Sequence, residues 1–184
     1  MTQNSNKKSQ VAIALGSNLG DSLANLENAV TLLDQTDGIR LLQCSSWYRS
    51  KAMGPPQPDY LNGCVVFETT LTPQALLARL QAIEHQFHRT RSIHWGPRTL
   101  DLDLVLFDDL VLKDPVLTIP HPGLPERSFV LAPLAEIAPG WIDPISGETI
   151  TDLLQKVDCS DLLEIKPSRK TTATDKKQDT PHVQ

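Results

Sequence analysis

Two carboxylates stand two residues apart inside the run Trp95-Gly96-Pro97-Arg98-Thr99-Leu100-Asp101-Leu102-Asp103-Leu104-Val105-Leu106-Phe107. In a strand, residues i and i+2 share a face, so Asp101 and Asp103 point one way and Leu100, Leu102 and Leu104 the other. Like charges this close repel unless a cation lies between them, and hard oxygen donors at this spacing suit one or two Mg²⁺ ions. The same pattern is also that of the wet face of an amphipathic strand. The preceding residues favour phosphate chemistry: from 79 to 98 the chain carries Arg79, Arg89, Arg91 and Arg98 against the single acid Glu84. Guanidinium forks with carboxylate-held Mg²⁺ are what a polyphosphate needs, although ordinary ion pairs use the same groups.

Other reactive side chains are less informative. His85, His88 and His94 could in principle gather a transition metal, yet His85 and His88 lie at i, i+3 on a predicted helix with no clear third ligand, and a solvated helix face is the favoured reading. Cys44, Cys64 and Cys159 are odd in number and show no Cys-x-x-Cys spacing, which disfavours a disulfide framework or a thiolate zinc site and predicts reduced thiols. Gly16-Ser17-Asn18-Leu19-Gly20 matches neither the Walker A nor the dinucleotide pattern, and reads as a tight strand-to-helix turn or a weak phosphate loop.

The elements that position these groups follow from periodicity. Residues 11–15 form a buried strand that stops at the Gly16-Ser17-Asn18 turn, and a helix follows with Leu23, Leu26, Val30 and Leu33 on one face. Residues 39–48 and 61–71 are the next strands, separated by the stiff loop Gly54-Pro55-Pro56-Gln57-Pro58. Pro73 opens a second amphipathic helix with Leu76, Leu77, Leu80, Ile83 and Phe87 on its apolar face. A strand over 101–107 completes β-α-β-β-α-β. That order predicts an α+β, ferredoxin-like sandwich, an antiparallel sheet covered by helices on one side, extended by a hairpin at 111–119 and by helices at 127–137 and 151–157.

Composition bounds the class. The 184 residues suit one domain over 11–165, preceded by a flexible segment over 1–10. From 166 to 184 only Ala173 and Val183 are apolar, so a disordered tail is expected there. No apolar run approaches the roughly 20 residues of a membrane span, and the polar first ten residues lack a signal-peptide core, so a cytoplasmic protein is expected. The net charge of −5 argues against a general nucleic-acid binder.

Taken in order, Gly16-Ser17-Asn18-Leu19-Gly20, Ser46-Trp47-Tyr48-Arg49, Pro58-Asp59-Tyr60-Leu61-Asn62, the segment from Trp95 to Asp103, Ile119-Pro120-His121 and Arg127-Ser128-Phe129 resemble the 6-hydroxymethyl-7,8-dihydropterin pyrophosphokinase family of folate biosynthesis. The resemblance covers roughly residues 11–140. It implies transfer of a pyrophosphoryl group from ATP to the hydroxymethyl oxygen of the dihydropterin, with AMP leaving. Asp101 and Asp103 would hold two Mg²⁺ ions. Arg89 and Arg91 match two arginines of a loop that closes over the triphosphate, and Arg98, His121 and Arg127 match phosphate- and nucleotide-side groups. Glu84 and Thr118 are assigned to ATP on the same basis.

For the pterin, the resemblance implies an aromatic pair, Tyr60 and Phe129, an edge-reading amide, Asn62, a loop of Ser50, Lys51 and Met53, and Trp95 as a lid. The partners implied are ATP and the dihydropterin, with neither nucleic acid nor membrane, acting on a monomer. Ser50-Lys51-Ala52 departs from a Thr-Pro-Pro frequent in the family, and Pro122 stands where an aromatic can follow the histidine. Two other classes are weighed against this one. A non-catalytic ligand-binding module would not need both a carboxylate pair and an aromatic slot, and a metal-dependent phosphodiester hydrolase would ordinarily offer further carboxylate or histidine ligands.

Overall fold

The computed structural model describes residues 7–52, 54–87 and 96–165. Strand β1 (Ser9–Ser17) lies between β4 (Tyr60–Thr69) and β5 (Asp101–Phe107), antiparallel to both. β1 begins at Ser9, ahead of the expected Val11, because Ser9 and Gln10 pair with Thr69 and Glu68. Beyond β4 lie β2 (Ile39–Cys44) and β3 (Trp47–Ser50), which pair with successive halves of it, and β8 (Leu163–Ile165) adds to the outer edge of β3.

The single strand expected over 39–48 is thus two. At the break the Ser45 N–H still donates to the Cys64 carbonyl at 3.0 Å, but the Ser45 hydroxyl accepts the Cys64 N–H at 2.9 Å and the Ser46 N–H turns to the Glu136 carboxylate, so side chains take over part of the ladder.

Side-chain alternation gives the sheet two different faces. Val11, Ile13 and Leu15 of β1, Val65 and Phe67 of β4, and Leu102 and Leu104 of β5 form one buried cluster with α1 (Ser22–Asp34) and α2 (Pro73–Gln86). Each helix starts at a side-chain cap: Asp21 accepts the Ala24 N–H at 3.0 Å and Thr72 the Ala75 N–H at 3.2 Å. Leu26, Ala29 and Leu33 bury the inner face of α1, whereas Leu23, placed on that face by its spacing, is 43% exposed.

The opposite face carries Ala12, Ala14, Cys64 and Val66, and α3 (Ser128–Ile137) and α4 (Ile150–Leu154) cover part of it. Helices therefore sit on both faces, because the C-terminal extension folds back over the side that the ferredoxin-like core leaves open. A small hairpin, β6 (Leu112–Lys113) and β7 (Thr118–Ile119), follows β5. Among the described residues no helix is long and apolar enough to cross a membrane. The expected tail over 166–184 lies outside the described residues.

Candidate functional site

The uncovered end of the α3 face is a cleft of about 270 Å³. Its polar features come from three neighbouring strands in register. Gly16 of β1 pairs with Asn62 of β4 on one side and Asp101 of β5 on the other, and Ala14 pairs with Asp103. Asn62, Asp101 and Asp103 therefore project from one face, above a floor made of Ala14 and Gly16. A Cβ at Gly16 would stand 3.4 Å from Asn62 Oδ1 and 3.7 Å from Tyr60 Cδ1, within ordinary contact but into the open space of the cleft.

At one end, each aspartate has an arginine. Arg98 Nη1 pairs with Asp101 Oδ2, and Arg127 Nη1 lies 3.4 Å from Asp103 Oδ2. Burial works against the charge on Arg98, but Asp101, with smaller contributions from Tyr60 and Asp103, more than offsets it and raises its pKa. His121 Nε2 is 3.8 Å from Asp103 Oδ2. Its Nδ1 accepts the Gly123 N–H at 3.0 Å, so in the neutral ring the proton sits on Nε2, towards the carboxylate. Burial lowers the His121 pKa, Arg127 lowers it further, and Asp103 and Asp101 oppose the shift.

Arg127 reaches this place because Gly123 has no side chain: a Cβ there would lie 2.5 Å from Arg127 Nε. The guanidinium carbon is also 5.8 Å from the centre of the Phe129 ring, within cation–π range.

The other end presents an amide between aromatic side chains. Asn62 Nδ2 donates to Ser50 Oγ at 2.8 Å, which leaves the amide oxygen to face the cleft near Gly16. Tyr60 donates its hydroxyl to the Gly96 carbonyl at 3.1 Å, fixing the ring. Phe129 and Val130, in the first turn of α3, form the opposite wall, and Lys51 stands at the rim. Pro133 lacks the N–H that would bond the Phe129 carbonyl, so the first turn of α3 is not tied by a full helical ladder.

Of the residues singled out in the sequence, Ser50, Lys51, Tyr60, Asn62, Arg98, Asp101, Asp103, His121, Arg127 and Phe129 line this one cleft. Glu84 and Thr118 do not. Glu84 is 4% exposed under the sheet, and its Oε1 accepts the Leu102 N–H at 2.8 Å, so it holds the start of β5 from beneath. Thr118 pairs with Lys113 in the small hairpin. Arg79 and His85 are exposed on α2. Met53, Arg89, Arg91 and Trp95 lie outside the described residues.

Sequence reasoning missed the floor. Its signal is the alternation of small Ala12, Ala14 and Gly16 with large Val11, Ile13 and Leu15, which marks a sheet face leaving room for something other than core. The Gly16-Ser17-Asn18 turn is not a phosphate loop, because the N–H groups of Asn18 and Leu19 both donate to the Arg98 carbonyl, at 2.9 and 3.2 Å.

The donor set suits a hard divalent cation: two carboxylates share a face beside open space. Among the described residues no group of three His, Cys, Asp or Glu side chains converges, so such an ion would complete its shell with phosphate oxygens and water, as Mg²⁺ usually does.

An antiparallel α+β sandwich carries paired carboxylates and arginines at one end of a cleft and an amide with aromatic rings at the other, a chemistry that suits an anionic group beside a flat heteroaromatic ring. Residues 12–139 match the family model described as 7,8-dihydro-6-hydroxymethylpterin-pyrophosphokinase, and the chain belongs to that family. It is 53% identical over 155 residues to the 2-amino-4-hydroxy-6-hydroxymethyldihydropteridine pyrophosphokinase of Synechocystis, covering 84% of this chain and 80% of that one. To the Bacillus subtilis protein of the same name it is 46% identical over 126 residues, covering 68% and 75%. Among solved structures, Plasmodium falciparum HPPK-DHPS superposes with a TM-score of 0.66 at 16% identity. That match covers 84% of this chain but 45% of the larger protein, and it supports the fold.

Proposed function

We propose that this chain transfers the pyrophosphoryl group of ATP to the hydroxymethyl oxygen of 6-hydroxymethyl-7,8-dihydropterin, releasing AMP. The observation that carries the reading is the joining of two unlike ends in one cleft: Tyr60, Asn62 and Phe129 beside Asp101, Asp103, Arg98 and Arg127. A ring seated at the first end brings its substituent to the second.

In this reading Asn62, held by Ser50, reads the polar edge of the ring, and Tyr60 and Phe129 flank its faces. Arg98, Arg127 and the Nε2–H of His121 bind phosphate oxygens. Arg89 and Arg91 close over the triphosphate and Trp95 and Met53 complete the ring pocket; these four roles rest on the family resemblance. Asp101 and Asp103 would hold two Mg²⁺ ions, which when bound neutralise phosphate charge and favour loss of the hydroxyl proton. The protein's own work is alignment: it sets the hydroxymethyl oxygen in line with the β-phosphorus and keeps water from competing.

A monomer as the active unit and a cytosolic setting are part of this reading and rest on the family resemblance. The test is incubation with ATP, Mg²⁺ and the hydroxymethyl dihydropterin. AMP should appear in step with the pterin diphosphate; ADP, or AMP release indifferent to the pterin, overturns the proposal.

A further inference from the structure

The two walls of the ring-binding end come from distant parts of the chain, and one carboxylate outside the cleft joins them. Glu136, near the C-terminal end of α3, accepts the Ser46 N–H at 2.9 and 3.1 Å, the Ser46 hydroxyl at 2.9 Å and the Tyr48 hydroxyl at 3.2 Å. Ser46 and Tyr48 stand at the entry to β3, whose far end carries Ser50. Tyr48 pairs with Asn62 in the β3–β4 register, and the Asn62 amide reaches the Tyr48 carbonyl at 3.5 Å as well as Ser50 Oγ. The helix that carries Glu136 presents Phe129 and Val130 to the same space from the other side.

We infer that Glu136 is a positioning residue for ring binding: its carboxylate fixes α3, and with it Phe129, relative to the Asn62–Ser50 pair on the sheet. The inference deepens the function proposed above and rests on its assignment of the ring-binding end. Bonds to an ionised acceptor are the stronger kind, and four donor contacts on one carboxylate define a direction as well as a distance. α3 has 10 residues and so spans about 15 Å. Glu136 and Phe129, seven residues and about two turns apart, lie on one face of α3, so the tie at Glu136 sets how the turns after Pro133 rest on the sheet and from where the looser first turn presents Phe129. Arg98, Asp101 and Asp103 stand on β5 and the segment entering it, outside this tie, whereas Arg127 caps α3 beside Phe129 and shares in any shift of the helix.

The test is a split between substrates. Glu136→Ala should raise KM for the hydroxymethyl dihydropterin about tenfold, the loss of a charge-assisted contact, with a rise in KM for ATP, carried by Arg127 alone, that stays below about threefold, and kcat changed less than about twofold. Glu136→Gln keeps an acceptor of the same reach and should recover most of the loss, and Tyr48→Phe should show a smaller rise in the same constant. An unchanged pterin KM, or parallel rises for pterin and ATP together with a lowered melting temperature, overturns the inference in favour of a general structural tie. Calorimetric binding of the dihydropterin to the wild type and to Glu136→Ala separates this from the reaction itself. If the wild type binds but releases no AMP, the proposed reaction fails while the two Kd values still decide the role of Glu136: a weakened Kd supports it and equal values overturn it. No binding by the wild type overturns both.

Discussion

Asn18 holds Arg98 by main chain and side chain at once: the Arg98 N–H donates to Asn18 Oδ1 at 2.7 Å, and the Asn18 N–H donates to the Arg98 carbonyl at 2.9 Å. The Asn18 amide also donates to Gln57 Oε1 at 3.0 Å and to the Pro58 carbonyl at 2.9 Å. One buried side chain thus ties the turn after β1 to the proline loop and to the segment entering β5. Asn18→Ala leaves several of these groups without partners and is expected to cost about 1–3 kcal/mol. Denaturant titration checks this, and an unchanged midpoint would remove the latch from the account.

The carboxylate pair should dominate turnover. Asp101→Ala and Asp103→Ala are each expected to lower kcat by at least roughly a hundredfold, with far-ultraviolet circular dichroism unchanged. Titration with Mg²⁺ should show weakened activation in both variants. Near-normal turnover in either one would count against the metal role.

Gly123 predicts a functional loss with little loss of stability. A Cβ at this position meets the flexible end of Arg127 at 2.5 Å rather than backbone, so the guanidinium can move aside. Its place beside Asp103 and over Phe129 is then given up. Gly123→Ala should therefore raise KM for ATP by about tenfold, the scale of one charge-assisted contact, while thermal unfolding shifts little. A large drop in melting temperature with normal kinetics would contradict this.

Glu84 should behave in the opposite way. Its carboxylate lies beneath the sheet on the Leu102 N–H, and removing an acceptor from a buried N–H costs about 1–3 kcal/mol. Glu84→Ala is expected to lower stability, with a smaller effect on KM for ATP than Gly123→Ala. The reverse pattern would support the direct nucleotide role that the resemblance implies.

Tyr48 gives a pH signature. Burial first, then the charge and hydrogen bond of Glu136, and finally Glu164, raise its pKa from 10.0 to about 12. A proton held more tightly in the folded state contributes stability that is complete below the unfolded pKa and is lost as pH rises through the folded one. Wild-type stability should therefore fall more steeply than that of Tyr48→Phe between pH 10 and about 12. Urea unfolding of both proteins at the two ends of that window measures the difference, and parallel curves would contradict it.

The alternation in β5 is readable because a strand's period of two is a local property, and Pro73 with its apolar spacing marks α2 equally well. The site residues could be assembled from ordered motifs before their geometry was known. What stayed hidden depends on distant partners. The break between β2 and β3 follows from a Ser45 hydroxyl reaching Cys64 and from Glu136 reaching Ser46, neither of which leaves a periodic trace. β8 is three residues long and mostly exposed, so only its pairing with β3 makes it a strand. Glu84 read as the lone acid of a basic stretch, and nothing local announced that it turns under the sheet.

Ala14 and Gly16 make the cleft's depth a matter of two missing side chains. A pocket hollowed this way can be shallowed from underneath by added methyl groups, with every ion pair and hydrogen bond above left in place. Bulk at Ala14 would lift a ligand towards the rim at the Asp103 end, and bulk at Gly16 would do so between Asn62 and Asp101. The first would be felt at one end of the cleft and the second at both.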